Sequence, residues 1–184
     1  MRVISGRLKG RKLTSIRGYG IRPTSDKVKE SIFDILGNDF DGRVVLDLFA
    51  GTGSLGIEAL SRGAQVAVFV DTHPHSIAVI KKNLLELGLL NCAKIFKRSP
   101  LKGLKFLKKI SLNFDFIFLD PPYGKGFVDN TLKIISQSGI IMPTTLVVAE
   151  HSVREVVTPR VGTLLLKDQR KYGKTLISFF QGER

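Results

Sequence analysis

The 184-residue chain contains one cysteine, no tryptophan and few acidic side chains. With Cys92 alone it can form neither an internal disulfide nor a Cys-x-x-Cys metal site, and His73, His75 and His151 show no metal-ligand spacing, so we expect no bound metal. Its apolar runs are far shorter than the roughly 20 residues needed to cross a bilayer. The basic first residues precede no apolar stretch of the kind found in secretory signals. These absences predict a soluble, cytoplasmic protein with no membrane partner.

The shortage of acidic residues leaves 16 Asp and Glu against 29 Lys and Arg, a formal net charge of +13. Such a surplus favours polyanions, because neutralising phosphates releases condensed counterions. A basic surface kept for solubility is the alternative. The distribution favours nucleic acid, since residues 1–22 contain seven basic side chains and no acidic one. We expect nucleic-acid contacts from five of them, namely Arg7, Lys9, Arg11, Lys12 and Arg22.

The first part of the chain reads as a basic N-terminal arm over residues 1–22, followed by one larger domain over residues 23–184. Two short strands, 2–5 and 11–15, are predicted to flank a turn and to form a small β-hairpin extension. A Gly-rich loop follows at 17–22. Cap signals and apolar spacing then predict a helix over 25–37.

From residue 43 onward, strand and helix patterns alternate. Strands are predicted at 43–48, 65–70, 93–97, 114–119 and 144–150, and helices at 53–62, 74–88, 101–109 and 126–137. This order predicts an α/β fold with a mostly parallel, doubly wound sheet, because each β–α–β unit needs a right-handed crossover. Two further strand-like runs, 162–167 and 175–180, predict an antiparallel C-terminal hairpin around a 168–174 loop.

The first predicted strand leads into a glycine-rich loop, Asp47-Leu48-Phe49-Ala50-Gly51-Thr52-Gly53-Ser54-Leu55-Gly56. Glycines allow a close approach of the backbone to a ligand, and the following helix N-terminus favours anionic groups. The pattern Gly-x-Gly-x-x-Gly with Asp71 beyond it is typical of nucleoside binding, although alone it is a weak signal.

Two carboxylates favour S-adenosylmethionine over NAD in this loop. Asp47, inside the strand end, could meet the cationic amino group of a methionine moiety, whereas a pyrophosphate would gain nothing from it. Asp71, at the end of the second strand, could accept both ribose hydroxyls. The alternatives are a helix-capping carboxylate for Asp47 and a turn aspartate for Asp71.

The tetrad Asp120-Pro121-Pro122-Tyr123 directly follows another predicted strand. Two prolines remove two amide donors, so the loop presents carbonyls beside the Asp120 carboxylate. A site made of acceptors suits an amino group, and the ring of Tyr123 offers a face on which an unpaired base can stack. We interpret the tetrad as the catalytic site, holding a nucleobase amine in line with a methyl donor. The alternative is a proline-rich turn with a capping Asp.

Three further features leave alternatives open. Ser99, after the third strand, is placed where an adenine contact or a simple turn serine could stand. Four lysines of the predicted helix 101–109 could bind successive phosphates of a nucleic acid or form a solvated helix face; they are Lys102, Lys105, Lys108 and Lys109. Asn83 is interpreted as an exposed helix residue.

The chain resembles the bacterial guanine-N2 methyltransferases of small-subunit (16S) ribosomal RNA, the RsmD-like family. The matching segments are Arg2-Val3-Ile4-Ser5-Gly6 with Gly10-Arg11-Lys12-Leu13, Arg22-Pro23-Thr24 with Asp26-Lys27-Val28-Lys29-Glu30, Asp47 to Gly53, Asp120 to Tyr123, and Tyr172-Gly173. The Asp-Pro-Pro-Tyr motif alone also occurs in adenine-N6 DNA enzymes.

The resemblance implies a Rossmann-like, seven-stranded methyltransferase fold that methylates the N2 amine of one guanine during assembly of the small subunit. By carry-over, Asp120 to Tyr123 would form the target site, and Asp47, Gly51, Gly53 and Asp71, with Phe49, Ala50 and Ser99 beside them, the S-adenosylmethionine site. The partner would be ribosomal RNA within the small subunit or its assembly intermediate, with no obligate protein partner.

Three other functions compete with this interpretation: an adenine-N6 DNA methyltransferase, a non-enzymatic RNA-binding protein and an NAD-dependent oxidoreductase. The chain has no obvious inserted DNA-recognition domain, and it offers no evident hydride-transfer residue. One departure from many S-adenosylmethionine enzymes is that Arg98-Ser99-Pro100 contains no acidic residue for the adenine amine.

Overall fold

A computed structural model describes residues 1–16, 25–37 and 39–183. The predicted loop over 17–22, together with Arg22, Pro23 and Thr24, lies outside the described residues. In chain order the helices and strands are α1 Asp26–Leu36, β1 Val44–Leu48, α2 Ser54–Ser61, β2 Val66–Asp71, α3 Pro74–Glu86, β3 Ala93–Lys97, β4 Phe116–Leu119, α4 Phe127–Ser138, β5 Leu146–Ser152, β6 Arg160–Val161, β7 Leu164–Tyr172 and β8 Thr175–Gly182.

The strands form one sheet in the order β3-β2-β1-β4-β5-β8-β7-β6. Strands β1 to β5 pair in parallel, and β5, β8, β7 and β6 pair antiparallel. The predicted doubly wound sheet with an antiparallel C-terminal hairpin is therefore confirmed. The sheet has one strand more than the predicted seven, because the two-residue β6 adds to the edge of β7.

Two hydrophobic cores cover the faces of the sheet. Alternate strand residues point to opposite faces, so Ala67 and Phe69 pack with α1, α2 and α3, while Val68 and Val70 pack on the α4 side. The central strands are buried on both faces, which explains their continuous apolar runs. No helix of the described residues is long and apolar enough to cross a membrane.

Two local predictions are wrong. The predicted helix over 101–109 is a pair of short 3₁₀ segments, Pro100–Lys102 and Lys105–Ile110, interrupted by Gly103 at a φ of 99°. The predicted 168–174 loop is mostly strand, because β7 continues to Tyr172 and leaves only a two-residue turn. Its charged residues obscured the strand pattern, since they lie on an exposed edge.

The N-terminal segment folds back on itself, but as less than the predicted pair of strands. Arg2 and Lys12 form a single antiparallel bridge, and the turn between them contains a 3₁₀ segment, Gly6–Leu8. Backbone hydrogen bonds from Val3 to Arg11, from Gly10 to Val3 and from Leu13 to Met1 hold its two halves together. The amides of Ile4, Ser5, Leu8 and Thr14 instead donate to side chains of the helices beneath.

A buried carboxylate on α2 holds this segment in place. Glu58 is fully buried, and its two carboxylate oxygens accept the amides of Ile4 and Ser5 at 2.8 and 2.9 Å. Lys29 Nζ of α1 lies 3.2 Å from Glu58 Oε2, and Arg62 Nε lies 3.1 Å from Glu58 Oε1. Lys29 also donates to the carbonyl of Arg2. One buried charge cluster therefore joins the segment, α1 and α2.

Close backbone packing completes the attachment. Ser61 Oγ accepts the Leu8 amide at 3.0 Å and donates to the Ser5 carbonyl at 2.6 Å. A Cβ at Gly6, which has a φ of 77°, would lie 2.0 Å from the Ser61 carbonyl oxygen, so only glycine fits there.

We expect Lys29→Met to lower the free energy of unfolding by about 3–5 kcal/mol, because it leaves the Glu58 carboxylate with less compensating charge in a buried site. Lys29 is fully buried, and its pKa is lowered by that burial against the opposing effect of Glu58. Urea unfolding measures the change. The control is Lys82→Met, which removes the exposed Lys82–Glu86 pair and should cost less than about 0.5 kcal/mol. Equal losses in the two variants would contradict the role of the cluster.

Candidate active site

The glycine loop and the tetrad leave the sheet from adjacent strands at the same level. Strands β1 and β4 are parallel neighbours, with Leu48 opposite Leu119. Since such strands lie about 4.8 Å apart, Phe49 and Asp120 begin their loops side by side. The strand order changes direction here, because β2 lies on one side of β1 and β4 on the other. Ligands of open α/β sheets bind at such a switch point.

The backbone of the glycine loop adopts conformations that favour glycine. Gly51 and Gly53 have φ values of 54° and 79°, and Phe49 also lies in the left-handed region, at 59°. Non-glycine residues rarely occupy this region, and those that do cluster at functional sites. A Cβ at Gly51 would meet only the Phe49 carbonyl, at 3.9 Å, so the loop leaves open space there. Ala50 is buried beneath it.

The third glycine of the motif has a packing role. A Cβ at Gly56 would lie 2.4 Å from the Phe69 ring on β2. Glycine is therefore needed for α2 to lie close to the sheet, as in dinucleotide-binding motifs.

Asp47 is a buried carboxyl beneath the loop. Its Oδ2 accepts the Gly56 amide at 2.9 Å, so the helix-capping alternative describes one of its contacts. Burial raises its pKa to about 8, against the lowering effect of that hydrogen bond and with a further rise from Asp71. A carboxyl kept neutral by burial becomes ionised when a cation lies beside it. Asp47 therefore suits a cationic group bound at the carboxyl edge of β1.

Asp71, the last residue of β2, organises the loop from the neighbouring strand. Its Oδ2 accepts the Gly51 amide at 2.9 Å and its Oδ1 accepts the His73 amide at 2.8 Å. These two contacts agree with the interpretation of Asp71 as a turn aspartate. Each carboxylate oxygen can accept a second hydrogen bond, so hydroxyl donors can still bind there.

Ser99 follows β3 at the same edge of the sheet and is half-buried. Its carbonyl accepts the Lys102 amide at 3.2 Å, and its side chain makes no capping bond to the 3₁₀ segment that follows. Next to it, the Arg98 guanidinium lies 5.0 Å from the centre of the Phe106 ring.

The tetrad forms a turn with a fixed aromatic ring. Asp120 and Tyr123 are half-buried, Pro121 is buried and Pro122 is exposed. The Tyr123 hydroxyl donates to Glu150 Oε1 at 2.8 Å. Burial raises the pKa of Tyr123 above its usual value, so the hydroxyl stays protonated as a donor. The ring is thereby fixed by its hydroxyl end.

Sequence reasoning missed two residues of this site. Glu150 is buried in β5, one residue after Ala149, which lies opposite Leu119. Thr175 Oγ1, at the start of β8, lies 3.5 Å from the Tyr123 hydroxyl. The available signal was a carboxylate at the end of an apolar strand, the same pattern that identified Asp47.

The interpretation of Asn83 as an exposed residue is wrong. Asn83 is buried, and its Oδ1 accepts the Thr14 amide at 2.8 Å. Its Nδ2 donates to the carbonyls of Thr14 and Thr52 at 3.2 and 3.0 Å. One side chain of α3 thus connects the N-terminal segment with the glycine loop.

The basic residues of the N-terminal segment are exposed, namely Arg7, Lys9, Arg11 and Lys12. Met1 and Thr14 lie near Thr52 of the glycine loop. The Thr52 hydroxyl donates to Met1, and Thr14 bonds to Asn83, which donates to the Thr52 carbonyl. Arg7 belongs to the opposite end of α2, since Leu8 bonds to Ser61. The eight residues of α2 span about 12 Å, so this end of the segment lies well away from the loop.

A cavity of about 520 Å³ lies beside that opposite end, lined among others by Arg7, Asp41, Gln65 and Cys92. These residues precede or flank the amino ends of the strands, so the cavity is separate from the switch point. Within residues 1–16, 25–37 and 39–183, no three His, Cys, Asp or Glu side chains are grouped closely enough to hold a metal ion.

We expect Asn83→Leu to lower the free energy of unfolding by about 3 kcal/mol, because the amide of Thr14 and the carbonyls of Thr14 and Thr52 lose a buried partner. Urea unfolding measures the effect. Asn130→Leu on the exposed face of α4 is the matched control and should change stability little. If both variants unfold alike, Asn83 does not connect the segment to the loop.

Comparisons with known proteins show similarity over nearly the whole chain. A family described as "Conserved hypothetical protein 95" matches residues 1–181. A Bacillus subtilis protein named "Putative rRNA methyltransferase YlbH" is 43% identical over 182 residues, 98% of each chain. "Ribosomal RNA small subunit methyltransferase D" of Haemophilus influenzae is 35% identical over 167 residues, covering 90% of this chain and 86% of that protein.

A solved structure from Escherichia coli, described as "Putative methyltransferase yhhF", superposes on this chain with a TM-score of 0.85. The two chains are 30% identical, and the match covers 100% of this chain and 98% of the other. The likeness confirms the predicted α/β methyltransferase fold, with its mostly parallel sheet and antiparallel C-terminal strands.

Proposed function

Because this chain belongs to the family described as "Conserved hypothetical protein 95", which includes the small-subunit ribosomal RNA methyltransferase D proteins, we propose that it is an S-adenosylmethionine-dependent methyltransferase of ribosomal RNA. Its target is the exocyclic N2 amine of a guanine in the small-subunit RNA. The observation that carries this proposal is the pairing of Leu48 with Leu119, which starts the glycine loop and the acceptor-rich tetrad side by side.

The residues at the loop suit the cofactor. The buried Asp47, with its raised pKa, provides the partner for a cationic amino group, and Asp71 has acceptor capacity for ribose hydroxyls. The space above Gly51 admits close approach of a ligand. S-adenosylmethionine, when bound, supplies a methyl group on a sulfonium centre.

The tetrad acts on the amine. The Asp120 carboxylate and the Pro121 carbonyl accept the two N–H groups of the amine and direct its lone pair towards the loop. Tyr123, fixed by Glu150, stacks on the target base. The Asp120 carboxylate then takes the proton that the methylated amine loses. Positioning and electrostatics supply most of the rate enhancement.

The N-terminal segment forms an RNA-gripping element in this proposal. Its exposed Arg7, Lys9, Arg11 and Lys12 provide a basic surface over the far ends of α2 and α3, where Leu8 bonds to Ser61 and Arg11 to the Glu86 carbonyl. Such cationic surfaces bind RNA through its phosphates and make the affinity depend on salt.

The proposal is tested by incubating the protein with labelled S-adenosylmethionine and small ribosomal subunits that lack its methyl group. Nucleoside analysis of the product should show N2-methylguanosine. Methylation of duplex DNA at adenine N6, with none on the subunits, would overturn the RNA assignment. Binding of the subunits without methyl transfer and without cofactor affinity would indicate an RNA-binding protein that is not an enzyme.

We expect Asp120→Ala to lower kcat by about 10³-fold or more, while the Kd for S-adenosylmethionine stays within about threefold, because the carboxylate acts on the amine. Single-turnover transfer and calorimetry measure the two quantities. Asp34→Ala on the exposed face of α1 is the control. A parallel loss of cofactor affinity would show that Asp120 belongs to the cofactor site instead.

We expect the affinity for S-adenosylmethionine to rise between pH 6 and 7.5. Asp47 has a pKa of about 8 in the free protein, so it must lose a proton when the cationic amino group binds, and binding becomes easier as the pH approaches that pKa. Calorimetry in buffers of different ionisation enthalpy should detect the released proton. Asp47→Asn, which can still accept the Gly56 amide, should bind more weakly and lose the pH dependence. The same rise in that variant would assign the proton to another group.

A further inference from the structure

The tip of the β7–β8 hairpin lies beside the candidate active site, on the side of the tetrad. Strand β8 runs antiparallel to β5, with Ser152 opposite Thr175, so β8 begins at the carboxyl edge of the parallel strands. Thr175 also lies next to the Tyr123 hydroxyl. The turn Gly173-Lys174 therefore stands next to the aromatic ring that is proposed to stack on the target base.

The backbone of this turn is fixed. Tyr172 pairs with Thr175 across a two-residue turn, and Gly173 has a φ of 61°, as the first position of a type II′ turn requires. The Lys174 carbonyl accepts the Val153 amide at 3.1 Å, which ties the tip to the loop after β5. The Tyr172-Gly173 motif thus positions a lysine at a defined place on the edge of the site.

Three exposed cations lie close in the chain to Tyr123 and its contacts, and we call them the cationic rim; they are Lys125, Arg154 and Lys174. Lys125 is two residues after Tyr123, and Lys174 precedes Thr175. Arg154 follows Val153, whose amide donates to the Lys174 carbonyl. Of the nearby carboxylates, Glu150 accepts the Tyr123 hydroxyl and Asp168 binds Arg170 at 2.8 Å. Among the described residues, the rim has no ion pair that would neutralise it.

Lysines on an exposed edge strand also protect it from pairing with other chains. That role accounts for Lys171 on β7. It does not account for Lys125 and Arg154, which lie in loops, or for Lys174, which lies in the turn. Exposed cations beside an aromatic ring are typical of single-stranded nucleic-acid binding.

We propose that the cationic rim binds the RNA phosphates that flank the target nucleotide, on the side of the site opposite the N-terminal segment. This inference rests on the proposed function, because it assumes an RNA substrate. Binding on both sides would hold the strand while the target base leaves its stack, a step that costs a few kcal/mol.

The test compares Arg154→Glu and Lys174→Glu with the matched control Lys133→Glu, which makes the same charge change on the exposed face of α4. For each protein, the Kd for labelled small-subunit ribosomal RNA is measured between 50 and 200 mM KCl, together with the KM for small subunits lacking the methyl group. Each rim variant should raise Kd and KM about fivefold and lower the salt slope by about 0.7–0.9 for each lost phosphate contact. The control should match the wild type.

Equal Kd and salt slope in the rim variants and the wild type would overturn the inference. Equal weakening in all three variants would also overturn it, because only net charge would then matter. If a reversal disturbs the hairpin, seen as a lower unfolding temperature, Lys174→Gln removes the charge without adding a carboxylate and decides the same question. Failure of the wild type to methylate the subunits would reject the proposed function instead, while the RNA-binding comparison would still test the rim.

Discussion

The parallel pairing of β1 with β4 is the constraint on which the candidate site depends. With Leu48 opposite Leu119, the glycine loop and the tetrad begin as neighbours, as the proposed transfer from a donor at one loop to an amine at the other requires. A slip of one residue would turn every side chain of the strand to the other face. Asp47 would then leave its position beneath the Gly56 amide, and the two loops would separate by about 3.3 Å along the strand. Burial of both strands on both faces prevents such a slip.

A second constraint comes from buried polar side chains on the helices above these strands. Glu58 binds the backbone of the N-terminal segment, and Asn83 binds both that segment and the Thr52 carbonyl of the glycine loop. Buried polar groups are costly unless fully satisfied, so networks of this kind fix a single arrangement. The segment and the loop therefore form one body. In the proposed function, this connection holds RNA bound to the segment in a defined position relative to the glycine loop.

The charges of the protein surround this body on two sides. The exposed cations of the N-terminal segment lie over α2 and α3, and the cationic rim lies in the loops and the turn next to Tyr123 and its contacts. Between them lie Asp47 and Asp71, whose oxygens accept backbone amides, and Asp120 at the start of the tetrad. In the proposed function, the cations bind the polyanion, and the carboxyl groups bind cationic or N–H groups of the reactants.

The sequence by itself determined the order of strands and helices, the glycine loop and the tetrad, because these depend on local periodicity, on positive φ and on proline chemistry. It did not determine which distant side chains meet. The sequence predicts Asn83 to be exposed and does not identify Glu150, because their partners lie 31 and 27 positions away along the chain. It predicts a loop for the charged part of β7 from Asp168 onward, since the edge position removes the apolar alternation that identifies a strand. Only tertiary packing decides such contacts, because burial and pairing are properties of neighbours in space.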